Sequence, residues 1–323
     1  MKKNIIAIFL ISLITLGYTQ TTIKDISFEN YPRVDGSTST FPLNKIIACK
    51  LLNIEYEWVN VNLWHPSVAK YEWYNPEITD EERNKVPLYN GRIKASQTHQ
   101  AFVNLIENKT DIILTARKMS KDEKKHADSL GIALIETPIA LDALIFLANE
   151  KRGIKSLTTQ QIQDIYMGKI DRWEAIGGDT VRLYPYIRNT NSGSQELLET
   201  LVMKGLKESW EDYIVMEQVS QIMSEVFIMI SMENRYAICF SLYYYKEMMI
   251  RDQCSGVQTL AINGIEPNRK TIADRTYPYV SEVYAVIRSD LPKDDLAYKL
   301  YEWLQNKEGQ EVIEESGYIP IKN

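Results

Sequence analysis

A chain of 323 residues carrying 43 Asp and Glu against 37 Lys and Arg, a net charge of -6, has room for two domains of about 150 residues each. An acidic balance without a run of basic residues excludes nucleic acid as the natural partner. It leaves a small anion open, because a few N–H groups and one arginine can dominate the potential inside a cleft.

The chain begins with Lys2-Lys3, an apolar run from Ile5 to Leu16, and Gly17-Tyr18-Thr19, the pattern of a secretory signal cleaved before Gln20. The run is too short for a bilayer, which takes about 20 apolar residues. No cysteine near the cut offers a lipid attachment point. The mature protein is expected to be soluble, extracytoplasmic or periplasmic, without stable membrane insertion. Three cysteines, Cys49, Cys239 and Cys254, are an odd number for an oxidising compartment; Cys239 and Cys254 either pair or stay buried as thiols.

In chain order, Ile26 to Val34 reads as a strand that delivers Asp35-Gly36 and then four hydroxyl residues, Ser37 to Thr40. Pro42 suits a first helical turn, and Leu43, Ile46, Ile47 and Leu51 mark one helical face. Such a strand-to-helix passage is either an anion cradle or an ordinary capped helix. Trp58 to Gly91, rich in aromatics, prolines and charges, reads as an elaborated loop that packs onto its domain or forms a lip of a cleft. Thr98 is placed to cap a helix with Phe102, Leu105 and Ile106 on its buried face, Asp111 to Thr115 is a short strand, and Ser120 with Glu123 is a capping box.

From Pro138 onward, IALDALIFLAN is a buried strand and the first crossover to a second domain. Thr158 with Gln161 caps a helix that stops at Gly168. Tyr184 to Leu198 then repeats the cradle pattern. Strand formers lead to Arg188, a polar turn, Ser192-Gly193-Ser194, and apolar residues at helical spacing, with Ser192 and Gln195 in capping-box register. Free N–H groups, two hydroxyls, a glycine and a forked guanidinium together suit an oxyanion. Further elements are expected as a helix over Val219 to Met232, a strand over Tyr236 to Phe240 and a strand over Val257 to Ile262 ended by Asn263-Gly264. Glu282 to Ile287 returns the chain to the first domain before two closing helices. Tyr243-Tyr244-Tyr245 on a helix cannot share one face, so at least one of them meets solvent or a cleft. The alternation of strands and helices predicts an α/β fold with largely parallel sheets.

His65, His99 and His126 have no partner at metal-ligand spacing, so neither a metal nor a cofactor is expected. Hydrolase elbows and nucleotide-binding loops are missing from the sequence, which argues against an enzyme.

The run R-N-T-N-S-G-S from Arg188 to Ser194 resembles the Arg-x-x-x-Ser-Gly-Thr/Ser loop of the phosphate-binding proteins that serve ABC transporters. Asp35 to Pro42 is similar to that family's first ligand loop, and Leu157 to Gly178, Ala261 to Pro267, Tyr277 to Val286 and Glu308 to Ile321 also resemble it in order. The resemblance implies a two-domain type II periplasmic-binding-protein fold with the ligand cleft between the domains. Domain I is expected at 20–137 and 280–323, and domain II at 138–279. It implies a monomer that hands inorganic phosphate, or a similar tetrahedral oxyanion, to ABC permease subunits. The implied ligand set is Ser39, Thr40, Phe41, Ser96 or Thr98, and Thr115 from one domain, with Arg188, Ser192, Gly193 and Ser194 from the other. At one point the chain departs from the pattern. Where many such proteins carry an aspartate that accepts the hydrogen-phosphate proton, this one has Ala116-Arg117. The rival reading is a surface sensor or adhesion protein that kept the fold and binds through the Trp58 to Gly91 stretch.

Overall fold

The computed structural model describes residues 23–65, 68–79, 81–189, 192–207, 214–216, 236–251 and 256–321. The expected leader, the helix expected over Val219 to Met232 and Cys254 lie outside these. Cys49 and Cys239 are both buried.

The strands, in chain order, are β1 (Val34–Gly36), β2 (Glu57–His65), β3 (Val68–Glu77), β4 (Ile112–Thr115), β5 (Leu134–Asn149), β6 (Ser156–Leu157), β7 (Tyr184–Arg188), β8 (Ile214–Met216), β9 (Ala237–Leu242), β10 (Val257–Ile262), β11 (Val280–Arg288) and β12 (Ile319–Pro320). The organising element is β5. Its run from Ile139 to Asn149 is buried throughout, which is why it reads as an apolar stretch interrupted only by Asp142 before the closing Asn149. Leu134 to Ala143 pair with β11, whereas Leu144 to Ala148 pair with β9, so the strand changes partner at Ala143/Leu144. On one side of that point β11, β4 and β1 complete a sheet; on the other lie β9, β7, β8, β10 and β6. One strand thereby serves two lobes.

The sheet is mixed rather than largely parallel. β1 and β4, β7 and β9, and β7 and β8 run parallel, but β5 and β11 are antiparallel to each other and to their other neighbours within the lobes. The reason is topological: one of these long strands leaves the first lobe and the other returns to it.

In the first lobe, α1 (Phe41–Leu51) buries Leu43, Ile46, Ile47 and Leu51, and α2 (Thr98–Ile106) buries Phe102, Leu105 and Ile106. The capping box at Ser120 forms on α3 (Lys121–Ser129), as does that at Thr158 on α4 (Thr159–Tyr166). In the second lobe Phe146, Tyr166, Phe240 and Tyr279 pack edge to face, and Trp173 is fully buried beside them in the same core. Asn263 (φ 53°) and Gly264 (φ 79°) make the turn after β10 with two successive positive φ angles, which that residue pair tolerates best.

The stretch expected as an irregular loop contains a hairpin, β2 antiparallel to β3. Its alternation of Trp58, Val59, Asn60, Val61 and Asn62 suits a strand, and the surrounding prolines and charges obscured it. The hairpin is tied down by an ion pair between the buried Lys45 of α1 and Glu77, 2.7 Å.

Candidate ligand-binding site

Loops at strand ends converge between the lobes. Within β1, the buried carboxylate of Asp35 accepts the N–H groups of Gly36 and Ser96, both at 2.8 Å, and the amide of Asn104 at 2.7 Å. It holds the first loop against α2. Gly36 is required by proximity, since a Cβ there would lie 2.3 Å from the Leu114 carbonyl. Ser37 Oγ sits 2.8 Å from Thr98 Oγ1 and accepts the Ala116 N–H at 3.0 Å, binding the loops after β1 and β4 to the start of α2.

From the opposite lobe, β7 ends at Arg188 and a short helix, α5 (Gly193–Leu197), begins. The expected capping box at Ser192 does not form. Gln195 Oε1 accepts the Arg188 N–H at 2.9 Å, and Ser192 Oγ lies 3.1 Å from Ser194 Oγ. Gln195 therefore fixes the arginine backbone, and the serine hydroxyls stay at the cleft. Arg188 Nη1 donates weakly to Ser194 Oγ at 3.4 Å.

An open cavity of about 460 Å³, counting the solvent space at its mouth, lies between these loops. One wall is Ser37, Thr38, Ser39, Thr98 and Ala116; the other is Arg188, Ser192, Gly193, Ser194, Ser241, Leu242 and Tyr245. Of the expected ligand set the structure brings together Ser39, Thr98, Arg188, Ser192, Gly193 and Ser194. Thr40, Phe41, Ser96 and Thr115 do not line it. The N–H of Thr40 closes a 3₁₀ turn on the Ser37 carbonyl at 3.1 Å, and its hydroxyl donates to Ser37 and Leu114 carbonyls. The Phe41 N–H is engaged by the Thr38 carbonyl, the Ser96 N–H by Asp35, and the Thr115 hydroxyl by the Arg117 carbonyl at 2.9 Å.

Thr98, expected as the cap of α2, is its first helical residue. Gln97 takes the cap position at φ 72°, which leaves the Thr98 hydroxyl free to reach Ser37. Ser37 and Thr38, the first half of the hydroxyl run, line the cavity although they are not in the implied ligand set. Ser241 and Leu242, at the end of β9, carry no sequence signal. Tyr245 is the member of the tyrosine triplet that lines the cleft; both it and Tyr244 are buried.

Arg188 is the one charged side chain lining this cavity among the described residues. Burial pulls its pKa down to about 10, which leaves the guanidinium charged at neutral pH. Ser39 Oγ, in a residue only 4% exposed, has no hydrogen-bond partner among the described residues. A buried cation, hydroxyls on both sides and no lining carboxylate make a site for an anion. Arg117, the residue that replaces the expected aspartate region, faces elsewhere. Its guanidinium forms a two-pronged pair with Glu123 at 2.8 Å and lies over the Phe102 ring. Burial pushes the Glu123 carboxyl up, but Arg117 and the Ser120 N–H more than offset this and hold it below the usual range. Among the described residues no cluster of His, Cys, Asp or Glu is arranged to hold a metal ion, and no helix is long and apolar enough to cross a membrane.

Two α/β lobes joined by crossing strands, with an anion-suited cleft between strand-end loops, define a two-domain α/β binding protein. The chain belongs to the PBP superfamily, whose domain it matches over residues 75–308. It is 22% identical over 330 aligned residues to the phosphate-binding protein PstS of Borreliella burgdorferi, covering 100% of both chains. Among solved structures it is similar to a Clostridium perfringens protein assigned as a phosphate ABC transporter substrate-binding protein and solved with bound phosphate. That match has a TM-score of 0.63 at 20% identity and covers 91% of this chain and 100% of the other. An ABC-type phosphate transport receptor from Vibrio cholerae matches with a TM-score of 0.58 at 20% identity, over 88% and 98% of the two chains. The fold is the two-domain type II periplasmic-binding-protein fold that the motifs implied.

Proposed function

We propose that this protein is an extracytoplasmic substrate-binding protein that captures inorganic phosphate, or a closely similar tetrahedral oxyanion, and delivers it to an ABC permease. The observation that carries the reading is Arg188, a buried guanidinium facing hydroxyl groups from the opposite lobe, in a chain aligned end to end with a phosphate-binding protein. In this reading Arg188 supplies the fixed charge, Ser39, Thr98, Ser192 and Ser194 supply directed hydroxyls, and the start of α5 at Gly193 supplies backbone N–H groups. Serine and threonine hydroxyls both donate and accept, so they serve a hydrogen-phosphate proton without the aspartate that Ala116 displaces.

Closure would move domain I, at 20–137 and 280–323, against domain II, at 138–279, about β5 and β11. The partner change of β5 supports a passage between domains on that strand. The protein acts as a monomer outside the cytoplasm, without catalysis of its own. Calorimetric titration of ligand-stripped protein tests the pocket: Arg188→Ala weakens phosphate binding at least tenfold while the ligand-free variant still unfolds cooperatively. Equal affinity removes this pocket from consideration.

A further inference from the structure

The turn Ser316–Gly317–Tyr318 leaves the helix Lys307–Glu315 of the first lobe but docks on residues of the second. The Tyr244 hydroxyl donates to the Ser316 carbonyl at 3.0 Å, and Arg269 donates to the carbonyls of Gly317 at 2.7 Å and Tyr318 at 3.3 Å. Gly317 has φ 97°, a backbone conformation that favours glycine, and it lies against the Met248 side chain. The Tyr318 ring stacks on Tyr244 with centroids 3.7 Å apart and planes 2° from parallel. Its hydroxyl donates to the Ser39 carbonyl at 3.0 Å. Burial raises the Tyr318 pKa far above its ordinary value, so the phenol stays a donor.

We propose that Tyr318 is a positioning residue for the anion pocket. Its hydroxyl fixes the 3₁₀ turn that presents Ser37, Thr38 and Ser39, and its ring ties that turn to Tyr244, the neighbour of Tyr245 in the opposite wall. Tyr318 does not line the cavity. Its effect on binding is exerted through Ser39, which lines the cavity and whose own buried hydroxyl has no partner among the described residues. This connection between the walls bypasses β5 and β11. A displacement of the turn therefore reaches the ligand groups directly.

The inference rests on the phosphate reading of the pocket, and one experiment separates the two. Ligand-free thermal unfolding and calorimetric titration with inorganic phosphate are run on the unsubstituted protein, Tyr318→Phe and Tyr277→Phe. Tyr277 provides the control, because its buried hydroxyl donates to the Leu144 carbonyl at 3.0 Å, away from the cavity lining. Both substitutions keep a ring and delete one buried phenol-to-carbonyl bond, so both lower the ligand-free melting temperature. Only Tyr318→Phe raises the phosphate Kd, by roughly three- to tenfold, the effect of one hydrogen bond felt at the ligand. A Tyr318→Phe Kd within twofold of the parent, or an equal weakening in Tyr277→Phe, overturns the positioning role alone. Absence of phosphate binding by the unsubstituted protein overturns the functional reading and this role with it.

Discussion

Gly193 approaches Thr98 of the opposite lobe in the lining of the proposed pocket, and Gly193→Ala disturbs that approach with a single methyl group. A Cβ at this position would lie 2.7 Å from Thr98 Oγ1 and 3.4 Å from Thr98 Cβ. The first distance is shorter than side chains tolerate. Thr98 cannot simply turn away at no cost, because the same oxygen is 2.8 Å from Ser37 Oγ. Relief requires the walls to part by about half an ångström, enough to forfeit a quarter or more of each close contact. A charge-assisted hydrogen bond to the anion contributes about 1.5–3 kcal/mol, so losing the better part of one weakens binding on the order of 10- to 100-fold. Gly193 opens α5 without a left-handed φ, so alanine there carries no backbone strain, and its restriction of the unfolded chain, about 0.4–1 kcal/mol, offsets part of the crowding against Thr98 in the ligand-free protein. Titration with phosphate should therefore show the larger effect, and ligand-free unfolding a small one. Affinity within twofold of the parent refutes the closed approach of α5 to Thr98.

Two further outcomes follow from buried charge. Asp142, fully buried on β5, accepts N–H groups from Tyr244 and Ala143, yet burial pushes its carboxyl up to about 7. The folded state then keeps a proton that the unfolded chain releases near pH 4, so this stability is full below about pH 4 and is lost as pH rises to about 7, by up to roughly 4 kcal/mol. Asp142→Asn should flatten that fall in denaturant unfolding measured between pH 4.5 and 7.5, and superimposable pH profiles would contradict the assignment. Glu123→Gln leaves the buried Arg117 guanidinium short of its counter-charge and should cost about 3–5 kcal/mol, while phosphate affinity stays within a fewfold, because neither side chain lines the cavity. Unchanged stability would show the pair to be dispensable.

Much of this was legible in the chain because turn chemistry and anion chemistry use the same residues. The strand, Arg188 and Ser192-Gly193-Ser194 can be read as a unit since the charge, the hydroxyls and the glycine all lie within one turn of each other. The run Ser37 to Thr40 is less explicit: successive residues of a 3₁₀ turn point about 120° apart, so composition does not say that Thr40 folds back onto Leu114 while Ser39 faces the cavity. Capping patterns misled where tertiary partners outbid local ones, as with Gln195 taking the Arg188 N–H and Gln97 displacing Thr98 from the cap. Ser241 and Leu242 enter the site only because β9 ends there, a fact of strand pairing rather than of local pattern. Ala116-Arg117 stands where an aspartate is expected, but the sequence does not say where Arg117 points, because its pairing with Glu123 depends on the α3 capping box bringing that carboxylate back.

The central claim is that the cleft around Arg188 binds phosphate, and thermal unfolding of residues 20–323, stripped of ligand, against phosphate, sulfate, molybdate and phosphate esters tests it most directly. Phosphate at about a hundred times the parent's Kd should add about 2.7 kcal/mol to the stability of the parent, a rise of roughly 5 °C, and no more than about 1.4 kcal/mol to Arg188→Ala, whose affinity is at least tenfold lower. No shift with any of these anions, or an equal shift in Arg188→Ala, would contradict the account.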